Sequence, residues 1–227
     1  FSEYLDMLQV NAESEEWEAF TNALTTNLTS FFRESHHFPI LSEHLLKSAG
    51  RNNTIWCCAA STGEEPYSIA IAAVEAYGTF NPPVSIIATD IDTQVLNKAE
   101  AGVYPLDRLE KMSPERVRRF FLKGSGAREG YAKVRPELQR LITFKRLNLL
   151  EPGWFVRGPL DVIFCRNVMI YFDKQTQAKI LRRFAPLMRD DALLFAGHSE
   201  SLFHVSDVFQ LLGRMVYRLT GADGVQR

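Results

Sequence analysis

The 227 residues carry 26 Lys/Arg against 27 Asp/Glu, a formal net charge of −1, so no global attraction to nucleic acid or an anionic membrane acts on this chain. With 46% hydrophobic and 23% charged residues, the composition is that of a packed domain rather than a disordered segment, and the length suffices for a full core. No apolar run approaches membrane-spanning length, no signal-peptide pattern is present, and Cys57, Cys58 and Cys165 show neither disulfide nor zinc spacing; buried thiols in a reducing cytoplasm are expected.

The chain opens at Phe1 with no Met, and a preceding segment is expected. Residues 1–47 read as a partial helical subdomain with its linker. Tyr4, Leu5 and Leu8, then Trp17, Phe20 and Leu24, recur at helical spacing as a core stripe, while Glu13, Glu15, Glu16 and Glu18 read as a solvated face. The Thr/Asn/Ser cluster of residues 25–30 competes for backbone hydrogen bonds, and predicts a polar turn before a helix through His36, His37 and Phe38. That turn reads either as a cap and linker or as a polar lip over a ligand, with Arg33 facing an anion. His36 and His37 are adjacent, so on a helix they share no metal-binding face, and they read as structural.

Residues 48–227 predict an open α/β sheet interrupted by a small insert over 102–140. The apolar run 54–60 ends in small residues and leads into Ser61-Thr62-Gly63-Glu64-Glu65-Pro66, a strand, turn and helix start with acids at the positive end of the helix dipole. The turn lacks the glycine spacing that cradles a pyrophosphate or triphosphate. Two carboxylates there suit a ligand bearing a cation, or serve only the helix start. Asn81-Pro82-Pro83 breaks the chain, and residues 84–92 form a second buried strand with Asp90 at its carboxyl end, where an acid binds ribose hydroxyls. Asp92 reads as N-cap of a helix over 94–101.

In the insert, Ser113-Pro114 predicts a helix start, and Gly124-Ser125-Gly126 a turn before a strand at 131–134. Across residues 101–146 twelve Lys/Arg face five Asp/Glu, either solvated surface or a docking patch for an acidic protein; RNA is less favoured without a nucleic-acid motif. The alternation resumes with strands at 141–147, 160–167 and 192–198, the second ending in Arg166-Asn167. Asp173 reads as the cap of a helix over 174–187, and 209–219 as a closing hairpin. The sum is a mostly parallel sheet with an antiparallel edge strand.

Asn27-Leu28-Thr29-Ser30-Phe31-Phe32-Arg33, Ser61-Thr62-Gly63-Glu64-Glu65-Pro66-Tyr67-Ser68, Thr89-Asp90-Ile91-Asp92, Cys165-Arg166-Asn167-Val168-Met169-Ile170-Tyr171-Phe172 and Gly197-His198-Ser199-Glu200 closely resemble, in order, the chemotaxis receptor methyltransferases of the CheR type. The resemblance implies a Rossmann-like fold binding S-adenosylmethionine, with S-adenosylhomocysteine as product, and methyl ester formation on glutamates of chemoreceptors. By matching position it implies cofactor contacts at Asn27, Thr29, Arg33, Glu65, Asp90, Asn148, Leu149, Arg166 and Asn167, with Arg33 and Tyr171 near the transferring methyl. It implies no metal, no nucleic acid and no membrane insertion. The implied partner is the cytoplasmic helical domain of the receptors, with a receptor C-terminal peptide gripped in some members by the inserted β-subdomain. Members of that family begin with further basic helices that help hold the receptor, and most of that segment is absent from these 227 residues. A same-fold methyltransferase with another substrate, or a non-catalytic sensor of the cofactor, are the alternatives.

Overall fold

The structure is a computed structural model that describes residues 15–25 and 27–221; Tyr4, Leu5, Leu8 and Glu13 of the expected first helix lie outside them. The helices are α1 (Glu15–Leu24), α2 (His37–Lys47), α3 (Glu64–Tyr77), α4 (Thr93–Ala101), α5 (Pro114–Phe120), α6 (Pro136–Gln139) and α7 (Lys174–Phe184). The strands are β1 (Asn53–Cys57), β2 (Val84–Asp90), β3 (Val103–Pro105), β4 (Phe121–Lys123), β5 (Tyr131–Val134), β6 (Ile142–Arg146), β7 (Leu160–Cys165), β8 (Met188–Ala196), β9 (Phe209–Gly213) and β10 (Val216–Leu219).

A seven-stranded sheet runs β6-β2-β1-β7-β8-β10-β9. Its first five strands are parallel, and β10 lies antiparallel to both β8 and β9, so the expected antiparallel edge is the closing hairpin. The period of two divides the sheet's side chains between two layers. Ile55, Cys57, Val162, Phe164 and Phe195 face a core shared with α2, α3 and the insert. Trp56, Cys58, Ile163, Cys165 and Leu194 face a second core with Ile180, Leu181 and Phe184 of α7. Helix α2 buries Phe38, Leu41 and Leu45 in the first core, although its residues precede position 48.

The structure departs from the sequence reading where polar residues mask an element. Strand β8 starts at Met188 rather than 192, because Arg189, Asp190 and Asp191 hide its opening. Helix α7 ends at Phe184 and gives way to a 3₁₀ turn at Ala185–Leu187, since Pro186 cannot continue the hydrogen-bond ladder. The expected core stripe of α1 fails at its last member, Leu24, whereas Trp17 and Phe20 are half-buried. Leu24 is 69% exposed, and α1 is held by polar contacts: the Asn22 amide donates to the Thr93 hydroxyl, which donates to Glu18.

The insert forms a second, antiparallel sheet in the order β3-β5-β4. Ser113 caps α5 by accepting from the Arg116 amide, with Pro114 following it, as expected. Phe31 joins the linker to the insert through edge-on contacts with Tyr104 and Phe121, ring centroids 5.0 and 5.5 Å apart. Part of the insert's positive charge is used internally. Arg108 pairs with Glu64 at 3.1 Å, Arg116 pairs with Glu75 at 2.8 Å, and Arg135 donates to the Arg119 carbonyl.

Candidate active site

The strand order reverses between β1 and β7, and this switch point opens a crevice at the carboxyl ends of the parallel strands. A cavity of about 360 Å³ occupies it, within the range of small-molecule sites. Asn27, Thr29, Arg33, Glu65, Asp90, Asn148, Leu149, Arg166, Asn167 and Tyr171 all line this one cavity. They come from five separate stretches of chain, brought together by the linker and the ends of β1, β2, β6 and β7.

At the end of β1 the chain turns sharply. Ser61 has φ +48 and Gly63 φ +98. A Cβ at Gly63 would lie 2.6 Å from the Tyr104 hydroxyl and 2.8 Å from the Ala99 Cβ, so only glycine fits this helix start. Glu64 and Glu65 then diverge. Glu64 turns to Arg108 and does not line the cavity, whereas Glu65 does. The expectation of two carboxylates facing one ligand is therefore corrected to one, because successive helical residues point about 100° apart.

Asp90 closes the end of β2. One of its oxygens accepts from the Ser61 amide at 2.8 Å and the other from the Asp92 amide at 3.1 Å. Burial raises its proton affinity above the usual Asp value, and the two amides pull it partly back. Each oxygen retains a lone pair for a further donor. Asp92 caps α4 as expected, and its second oxygen accepts from Thr25 and Asn27. Both Asn27 amide protons are committed, to Asp92 and Thr25 at 2.9 Å, so contact with a ligand falls to its oxygen or backbone. Across the cavity Asn148 accepts from the Leu150 amide at 2.9 Å, fixing the turn that presents Leu149.

Arg166 is the hub. Its side chain is fully buried. It donates to Glu65 at 2.7 Å and to the Arg33 carbonyl at 2.6 Å, and stands 3.5 Å from Glu34. Its Nε is buried without a partner among the described residues. For Glu65, burial outweighs the pull of Arg166 and leaves the carboxyl above its ordinary value. Burial also acts on Glu34, but Arg166 and the His198 amide outweigh it and hold that carboxyl below its usual range. Phe32 and Glu34, the neighbours of Arg33, both adopt left-handed backbone at φ +53 and +52, a conformation that persists only where surroundings over-determine it. Phe32 donates its amide to Ser68 at 2.9 Å, and Arg33 caps its own turn by donating to the Leu28 carbonyl at 2.9 Å. The result places the Arg33 side chain on the cavity wall.

Tyr171 is 58% exposed, and its hydroxyl has no hydrogen-bond partner among the described residues. Glu34 is a site neighbour that the sequence reading passed over as linker. Its contacts to Arg166 and His198 link positions 132 and 164 apart in sequence (from 34 to 166 and 34 to 198), and no local pattern signals them. The premise that His36 and His37 diverge also fails. His36 precedes the first turn of α2, the two rings meet with centroids 4.3 Å apart, and a nitrogen of each gathers near Glu34.

The family described as "CheR methyltransferase, SAM binding domain" matches residues 27–218. The chain is 54% identical over 220 residues to the chemotaxis protein methyltransferase of Salmonella typhimurium, covering 97% of this chain and 76% of that protein. It is 50% identical over 220 residues to the chemotaxis protein methyltransferase of Escherichia coli, covering 97% and 77%. To chemotaxis protein methyltransferase 2 of Pseudomonas aeruginosa it is 53% identical over 219 residues, covering 96% and 78%. These matches run through every strand that shapes the cavity, and the chain belongs to the CheR methyltransferase family.

Proposed function

We propose that this chain transfers the methyl group of S-adenosylmethionine to glutamate side chains of chemoreceptors, forming methyl esters. The observation that carries this reading is the convergence of ten residues from five stretches on one cavity at the switch point of a CheR-family sheet. The cavity's donor set fits the cofactor. Asp90 has lone pairs left for two ribose hydroxyls, Asn148 and Leu149 are assigned to flank the adenine on a wall that also holds Ile91, and the unpaired Nε–H of Arg166 suits a carboxylate.

When bound, the cofactor would supply an electrophilic methyl group, with a neutral thioether as leaving group, to the carboxylate oxygen of the accepting glutamate. The accepting glutamate is already ionised at neutral pH, so the protein needs no general base. Its task is orientation, and holding two reactants in line can supply about 7–11 kcal/mol of the barrier. Arg33 and Tyr171 are assigned to orient groups at the methyl, and neither carries a proton. The cytoplasmic helical domain of the receptor is the proposed substrate. Among the described residues β3 and β4 are the edges of the insert's sheet, which suits a receptor C-terminal peptide adding as a strand. No helix among the described residues is long and apolar enough to cross a membrane.

The test uses methyl-labelled S-adenosylmethionine with receptor-containing membranes, followed by alkali. Carboxyl methyl esters hydrolyse in base and release methanol, whereas N-methyl groups stay in place. Label on receptor that leaves as methanol is the expected outcome. Alkali-stable label, or none on receptor, would refute the assignment.

A further inference from the structure

Residues 167–172 carry Asn167 and Tyr171 into the cavity, and they are not held by regular structure beyond one 3₁₀ turn at Met169–Tyr171. Asn167 sits in left-handed backbone at φ +58. Such a segment needs outside partners for its backbone groups if it is to keep one geometry. Two buried polar side chains supply them. One oxygen of Glu200 accepts from the amides of Asn167 at 2.7 Å and Gly197 at 2.6 Å; the other accepts from Met169 at 2.8 Å and Ile170 at 3.3 Å. From the opposite side, the Gln177 amide donates to the carbonyls of Met169 at 2.8 Å and Phe172 at 2.9 Å. Glu200 is 4% exposed and Gln177 7% exposed.

The chemistry of the pair matches the segment. A carboxylate is acceptor-only with about four lone-pair sites, and four backbone donors use them. A primary amide has two protons, and two carbonyls take them. Gly197 completes the arrangement, since a Cβ there would lie 2.5 Å from the Asn167 side-chain Nδ2, 2.7 Å from a Glu200 oxygen and 2.9 Å from the Asn167 backbone nitrogen. Glu200 therefore ties the end of β8 to the segment after β7. Neither Glu200 nor Gln177 lines the cavity.

We propose that Glu200, with Gln177 opposite it, is a positioning residue for methyl transfer: it sets the backbone from Asn167 to Tyr171 so that the Tyr171 hydroxyl stands at the reacting methyl. The proposal rests on the reading of Tyr171 given above. The segment is part core and part cavity wall: Met169 is buried in the second core, whereas Tyr171 is exposed, so the contact sets the path of the chain from core to cavity.

Glu200→Gln keeps the shape but puts an NH₂ group where at least one backbone donor points. Amide hydrogen exchange of the whole chain should then speed up at Asn167, Met169 and Ile170 while β1 and β2 are unchanged. Turnover on receptor should fall by about tenfold to a hundredfold, the scale of a 1 Å misplacement, with a smaller change in KM. Tyr171→Phe should slow the parent chain yet add little in the Glu200→Gln background, because the hydroxyl is already misplaced. Gln177→Leu, which frees the same segment from the other side, should reproduce both results and guards against a single variant that fails to fold. Unchanged exchange at the three amides overturns the proposal, as does a Tyr171→Phe loss that is as large in both variants as in the parent. If Tyr171→Phe costs nothing in the parent, the role of Tyr171 fails and this proposal with it. The exchange rates distinguish that result from a failure of Glu200 alone.

Discussion

Replacing Asp90 with Asn removes one charge and one acceptor from the end of β2 at almost constant volume. In the folded chain its two oxygens accept from the Ser61 and Asp92 amides at 2.8 and 3.1 Å. A carboxamide offers one oxygen, so one of those amides faces an NH₂ group, and a buried donor left unpaired costs about 1–3 kcal/mol of stability. On the ligand side, hydrogen bonds to a charged group contribute about 1.5–3 kcal/mol each. Losing one and weakening the other amounts to about 3 kcal/mol, or about a hundredfold in Kd. The assay is titration calorimetry with S-adenosylhomocysteine beside an analogue lacking both ribose hydroxyls. Asp90→Asn should bind the natural ligand about a hundredfold more weakly and the analogue nearly as the parent does. Because burial raises the proton affinity of Asp90, acidification should weaken binding at a higher pH than an ordinary Asp would give, and the variant should lack that dependence. Equal losses on both ligands, or none on either, would refute the assignment of Asp90 to the ribose.

Three further outcomes follow from the same geometry. Tyr171→Phe should lower turnover much more than cofactor affinity, and parallel losses in single-turnover rate and Kd would contradict an orienting role. Glu65→Gln removes the nearest carboxylate partner of the buried Arg166 guanidinium, 2.7 Å away, and should cost about 3 kcal/mol in urea unfolding. The double variant with Arg166→Met should be less destabilised than Glu65→Gln alone, and a larger loss would show that the pair is not the cause. His37 is fully buried and donates from Nε2 to the Arg214 carbonyl at 2.7 Å. Burial pushes its imidazole down to about 4 from an ordinary 6.5. Between those values the unfolded chain holds the extra proton, so stability is fully present above 6.5 and falls by up to about 3 kcal/mol on the way to pH 4. His37→Gln should flatten unfolding stability across that window; an unchanged slope would assign it to other groups.

Much of this protein could be read in one dimension. Alternating and continuous apolar runs marked the parallel strands, because a strand buried on both faces must be apolar throughout. Asp92, Ser113 and Asp173 marked helix starts, because capping joins a side chain to an amide two or three residues ahead. The ten site residues stood at strand ends or in short motifs, and the sheet topology brought all ten to one cavity, since ligands of open α/β sheets gather at the switch point. What the sequence could not decide was the pairing. Glu64 and Glu65 looked equivalent until α3 turned one to Arg108 and the other to Arg166. Leu24 fitted a core stripe, yet it is exposed, and Asn22 of the same helix meets Thr93 at the start of α4. Glu34 and Glu200 bond to groups more than 130 and about 30 positions away respectively, and a carboxylate that serves distant amides leaves no periodic trace. Local propensity is written in neighbouring residues, whereas the partners of a buried charge are chosen by how the sheet brings remote segments together.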